Sequence, residues 1–139
     1  MATTLTFTST SFYQGTTMSA TASFDILGGT YSYDKRIYGI SATSTDTAAK
    51  ELTLWLSGPM ADYQVARIAV PINAGNTNLI AQVDIFGDSK FAATFQKQAD
   101  ANGKPYFNLP AGYTILANLT AATTATKVVT VHAFGENYN

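Results

Sequence analysis

Cysteine is absent from this chain. Disulfide bridges, thiolate nucleophiles and thiolate-bound metals are therefore excluded. Histidine occurs once, so a zinc site would have to be built mostly from carboxylates, an uncommon donor set. Charge is also scarce. Asp, Glu, Lys and Arg make up 12% of the 139 residues, about half the usual ~25% share. The formal net charge is −1. No basic surplus exists to neutralise phosphates, so nucleic acid is not an expected partner. Neither is a membrane: there is no polybasic patch for anionic lipid, and no apolar run approaches spanning length. Residues 1–6 hold neither a charged segment nor a continuous apolar stretch, so no secretory leader is expected. Folding in a cytoplasm follows as the expectation.

What remains is apolar and uncharged-polar. Apolar residues make up 46% of the chain, enough for a folded core rather than disorder. The length suits one domain, residues 1–139, with no covalent staples needed. The clearest signal lies in residues 102–119, where two strand-forming runs flank Leu109-Pro110-Ala111-Gly112. Pro at the second position and Gly at the fourth suit a tight turn. After it, Tyr113, Ile115, Ala117 and Leu119 alternate with Thr114, Leu116, Asn118 and Thr120, the two-residue period of a strand. Asp100-Ala101-Asn102-Gly103 reads as a hairpin turn into this stretch. It is not a calcium loop of the helix-loop-helix kind, because Gly103 stands fourth and position twelve is Ala111.

Alternation recurs along the chain. Residues 3–12, with Leu5 and Phe7 on one face, read as a first strand or an extended N-terminal arm. Residues 17–27, 36–44, 51–57, 65–72 and 127–134 read as further strands. Pro71 marks an edge position or a strand end, because Pro cannot donate to a ladder. The segment 45–50 reads as a polar loop and 135–139 as a polar tail. Leu79, Ile80, Val83 and Phe86 fall on a helical stripe, which predicts one short helix near residues 78–86, capped by Asn76 or Thr77 and closed by Gly87. Phe91 and Phe95 fit either a helical turn or alternation with Ala93. Seven or eight short antiparallel strands predict an all-β sandwich or jelly roll.

Chemistry is hard to find among these residues. His132 sits mid-strand, with no nucleophile or orienting acid identified beside it. Asp84 and Asp88 read as helix-end charges more readily than as an acid–base pair. Gly28-Gly29-Thr30 lacks phosphate-loop spacing. Asn118-Leu119-Thr120 is a glycosylation sequon inside a strand. No catalytic residue, metal or cofactor is expected. The aromatic residues Tyr13, Tyr31, Tyr33, Tyr38, Trp55 and Tyr63 are the exception. They suit a stacking platform for sugars or a protein-binding patch, with Tyr31, Tyr33 and Tyr38 the densest group, and they equally suit ordinary strand positions.

Leu109-Pro110-Ala111-Gly112-Tyr113-Thr114, then Leu116 and Val128-Val129-Thr130-Val131 before Gly135-Glu136-Asn137-Tyr138, resemble segments of small structural proteins of tailed bacteriophages. Asp100-Ala101-Asn102-Gly103 followed by Tyr106 is similar to the segment preceding the turn in those proteins. The resemblance covers roughly residues 65–139. It implies a non-enzymatic virion protein, foremost a capsid decoration or cement protein bound to the major capsid protein shell. It also implies a homo-oligomer, with a trimer expected. In that setting residues 1–12, with Leu5 and Phe7, are the expected arm across a neighbouring subunit. A neck, tail or fibre component and a carbohydrate-binding module for host surfaces are the alternatives.

Overall fold

A computed structural model describes residues 9–28 and 32–138. Leu5, Phe7 and Tyr31 lie outside the described residues. Two antiparallel sheets form a sandwich. In the larger, β1 (Ser9–Met18), β10 (Val129–Tyr138), β3 (Asp34–Ser44), β8 (Pro105–Leu109) and β7 (Gln98–Ala99) lie side by side in that order, and β6 (Val83–Asp84) also pairs with β3. In the smaller, the order is β2 (Phe24–Asp25), β9 (Thr114–Leu119), β4 (Lys50–Ser57) and β5 (Asp62–Val70).

Two-residue alternation puts one face of each sheet inside. Ile37, Ala42, Val129, Val131 and Ala133 from the larger sheet share one core cluster with Leu52, Leu54, Ile115, Ala117 and Leu119 from the smaller. All ten are fully buried. Burial of a large aliphatic side chain contributes roughly 1.5–3 kcal/mol, so this seam dominates the stability of the layers. Phe107 carries the cluster toward one end, with its ring centroid 4.6 Å from Phe95, 5.6 Å from Phe91 and 5.9 Å from Phe86.

Several sequence expectations are corrected. The one short helix, α1, spans Ser89–Ala92 rather than 78–86. Asp88 caps it by accepting from Lys90 N at 2.8 Å, and Phe91 and Phe95 are both buried, with centroids 4.8 Å apart. The stripe over 79–86 fails as a helix because its members do not share an environment. Leu79 is 89% exposed, Phe86 is buried, and Val83 and Asp84 extend to pair with Ala42 and Ser41. Upstream, Asn73 and Gly75 take φ of 51° and 70°, which breaks any helical run.

The expected strand over 17–27 is also divided. Met18 ends β1, and only Phe24 and Asp25 pair again. The small side chains of Ser19, Ala20 and Ala22 offer too little area to hold a strand in place. At the other end, 135–138 are not a tail. They extend β10 and pair with β1 and β3. Residues 9–12 are part of β1, so an N-terminal arm concerns only residues 1–8, outside the described set. Pro71 does follow the last residue of an edge strand, as its missing N–H requires.

The Leu109-Pro110-Ala111-Gly112 segment is a crossover between the layers rather than a hairpin, since β8 and β9 belong to different sheets. Its turn is one residue later than expected. Tyr113 N donates to Pro110 O at 3.2 Å, which puts Gly112, with φ of 88°, at the third position, where a positive φ favours glycine. Asp34 Oδ1 accepts from Ala111 N at 2.8 Å and pins the crossover to β3. By contrast, Asp100-Ala101-Asn102-Gly103 does close the β7–β8 hairpin.

Candidate binding face of the larger sheet

The outer face of the larger sheet gathers residues distant in sequence. Directly opposed residues in an antiparallel pair share a face. Pairing sets Tyr13 against Phe134, Gly15 against His132 and Thr17 against Thr130. It further sets Glu136 against Arg36, and Arg36 against Asn108. The register of β10 with β3 slips between Phe134 and Gly135, leaving Tyr38 as the extra residue on β3. Bulges of this kind re-aim side chains. Here Arg36 and Tyr38 face outward on one side of the slip, Ser41 and Thr43 on the other. The backbones are pressed together at this point. A β-carbon on Gly135 would lie 2.0 Å from the carbonyl oxygen of Arg36.

Around the bulge the side chains form a stack. The Arg36 guanidinium lies 4.6 Å from the Tyr106 ring centroid and 4.8 Å from that of Tyr138. Tyr38 packs on Tyr106 at 5.6 Å. Lys104 Nζ lies 5.0 Å from the Tyr38 centroid and 5.7 Å from that of Phe134. Each cation over a ring contributes about 0.5–1 kcal/mol at an exposed site. Tyr106 is buried beneath these groups, outside the core cluster. Tyr13 and Phe134 stay open at 65% and 40% exposed.

Hydrogen bonds fix the polar rim. The Tyr38 hydroxyl donates to Asp100 Oδ2 at 3.1 Å, and Asp100 Oδ1 accepts from Asn102 N and Lys104 N, each at 2.9 Å. Chiefly the Lys104 amide holds the Asp100 carboxyl below the usual range, against the opposing effect of burial. The Tyr138 hydroxyl donates to Glu136. That bond, with burial and the carboxylate charge, pushes the phenol up to about 12. Tyr13 and His132 are joined through the phenol oxygen and Nδ1, with His132 Nε2 lying 3.4 Å from Thr43 Oγ1. His132 is thus one polar member of a strand face.

Two clefts open here. One of about 590 Å³ is lined by Asp34, Lys35, Arg36, Asn108, Leu109, Pro110 and Tyr138. Lys35 is buried, and its Nζ donates to the carbonyls of Tyr33 and Tyr113 at 3.2 Å each. Burial lowers its pKa, opposed by Asp25 and Asp34. The other cleft, of about 340 Å³, has Tyr38 and Phe134 together with Asp100, Lys104 and Glu136. Cations and carboxylates stand close together, so charges of both signs line the clefts, which suits binding of a polar neutral surface.

Of the aromatic candidates, Tyr13 and Tyr38 belong to this face, and Tyr33 is 39% exposed just before β3. The wider set does not converge. Trp55 and Tyr63 belong to the smaller sheet, where Trp55 Nε1 donates to Asn118 Oδ1 at 2.7 Å. The sequon asparagine is therefore half-buried and occupied. Asp84 and Asp88 each accept a backbone N–H, from Gly87 and Lys90. Sequence reasoning missed Arg36, Tyr106, Phe134 and Tyr138. A period of two across paired strands is visible only once the partners and the bulge are known. Among the described residues, no group of three or more His, Asp or Glu side chains could hold a metal ion, and no helix is long and apolar enough to cross a membrane. Comparison with protein-family models, characterised proteins and solved structures finds no significant match.

Proposed function

We propose that this protein is a non-enzymatic structural component of a tailed-bacteriophage virion, and foremost a capsid decoration protein that holds the major capsid protein shell through the outer face of its larger sheet. The observation that carries the reading is the Arg36–Tyr38–Tyr106–Tyr138 stack with exposed Tyr13 and Phe134 beside it. Tyr, Phe and Arg are the residues enriched at protein interfaces, and the rings are held rigid by their neighbours. The sandwich core beneath makes a stiff support for that face. On a capsid lattice, many copies of a modest contact add to firm attachment. The sequence resemblance over residues 65–139 points the same way.

Co-sedimentation with purified empty capsids tests the reading, with electron microscopy locating the bound copies. Tyr38→Ala and Phe134→Ala, each first checked for an unchanged circular dichroism spectrum, are expected to weaken binding by about tenfold or more. Location at the neck or tail would move the role within the virion. Absence from every particle would sink it.

One observation favours a second reading, recognition of a host-surface carbohydrate. The smaller cleft sets aromatic walls, Tyr38 and Phe134, beside Asp100, Lys104 and Glu136, a combination that stacks a sugar ring and binds its hydroxyls. Glycan-array binding lost in the same two variants, without capsid binding, would replace the first reading with this one.

A further inference from the structure

We propose that the outer edge of β1 pairs with β1 of a second copy of this chain, antiparallel across a two-fold axis, so that two larger sheets become one. β1 is ten residues long and ends its sheet. It pairs with β10 from Ser9 to Met18 without a slip. Among the described residues, no strand pairs with its other side. An edge of this length exposes a row of unpaired N–H and C=O groups, and proteins usually blunt such rows with charge, proline, bulges or brevity.

The other edges of this molecule are blunted. β5 carries Asp62 and Arg67, is bulged against β4 and is followed by Pro71. β2 and β7 are two residues long. β1, Ser-Thr-Ser-Phe-Tyr-Gln-Gly-Thr-Thr-Met, has no charge, no proline and no bulge.

A second copy is the occupant that this strand itself complements. Two identical uncharged strands meet with no like-charge repulsion. A two-fold axis through Gln14 pairs residue i with residue 28 − i. Tyr13 of each copy then lies opposite Gly15 of the other, and Ser11 opposite Thr17. These four are exposed and on the outer face. A β-carbon built on Gly15 would meet His132 Nδ1 at 3.8 Å and the chain's own Tyr13 Cε1 at 3.9 Å, ordinary contact distances, so the neighbour's ring packs beside the Tyr13–His132 pair rather than into empty space. Hydroxyl pairs such as Ser11 with Thr17 stabilise cross-strand contacts. The interface is isologous and closes at two copies. It does not depend on the virion reading, and it departs from the trimer that the family resemblance implies.

Sedimentation equilibrium of the full chain, from micromolar to submillimolar concentration, is the test. The expected result is a reversible dimer. Ser11→Lys with Thr17→Lys is expected to shift the mass from two chains to one, with the β-type circular dichroism spectrum retained. In this cysteine-free chain, Gln14→Cys is expected to give a disulfide-linked dimer on mild oxidation, and Ala69→Cys on β5 none. A monomer throughout, a trimer, or a dimer indifferent to the lysines and not linked through Gln14→Cys would overturn the pairing.

Discussion

Asp46 shows how one residue in an unpromising loop ties the fold together. Its side chain is fully buried. It accepts from Thr124 Oγ1 at 2.7 Å, Thr124 N at 3.0 Å and Ala48 N at 3.0 Å, and lies 3.8 Å from Lys50 Nζ. Its own carbonyl accepts from Asn73 N. Burial pushes this carboxyl upward, but the bonds from Thr124 and Ala48, with Lys50, outweigh it and hold it at about 2, below the ordinary 3.8. A depressed folded-state pKa gives stability that is complete above about pH 4 and is lost as pH falls toward about 2. The melting temperature is therefore expected to fall over that window. Asp46→Asn is expected to lower it at neutral pH and flatten its acid slope, as differential scanning calorimetry across pH will read. A second residue-scale outcome concerns the bulge. Gly135→Ala drives a β-carbon into the Arg36 carbonyl oxygen, which is backbone and cannot swing aside. It is expected to cost about 2–3 kcal/mol in urea denaturation. Gly39→Ala meets the Phe134 ring first, 40% exposed and able to move, and is expected to cost less.

At the scale of the element, α1 is held by packing rather than by its own length, since one turn of helix is unstable alone. Phe91 joins it to Phe107 and Phe95. Phe107→Ala is expected to cost about 3–5 kcal/mol and to abolish near-ultraviolet dichroism from the ring cluster. This cluster also marks the limit of what the residues disclose before folding. Strands whose apolar side chains alternate cleanly, β10 with Val129, Val131 and Ala133 or β9 with Ile115, Ala117 and Leu119, are legible because their period is their burial. The segment 79–86 is not. Its apolar spacing is helical, yet Leu79 meets solvent and Val83 pairs with Ala42 on a strand far away in sequence. Tertiary pairing overrides local spacing there. The binding face was legible only at Tyr13 and Tyr38, with Tyr33 flanking the latter. Arg36, Tyr106 and Tyr138 meet through remote pairings, Arg36 with Asn108 on β8 and with Glu136 on β10, and neither leaves a local pattern.

At the scale of the whole molecule, almost every strong pairing is remote. β1 bonds to β10, β10 to β3 and β3 to β8. Non-local sandwiches close large loops before contacts stabilise them, and they fold in milliseconds to seconds. Refolding from urea, followed by intrinsic fluorescence in stopped flow, is expected on that timescale, with no microsecond phase carrying the main amplitude.

That arrangement has a consequence for synthesis. Among the described strands, the first made has as its in-chain partner the last made, and β10 also separates it from β3. A nascent chain therefore holds β1 without a neighbour until β10 emerges. Chains synthesised in close succession on one message carry the same unmatched ribbon at the same moment. Crowded translation, rather than heat, is where this molecule stands most exposed to pairing with the wrong copy of itself.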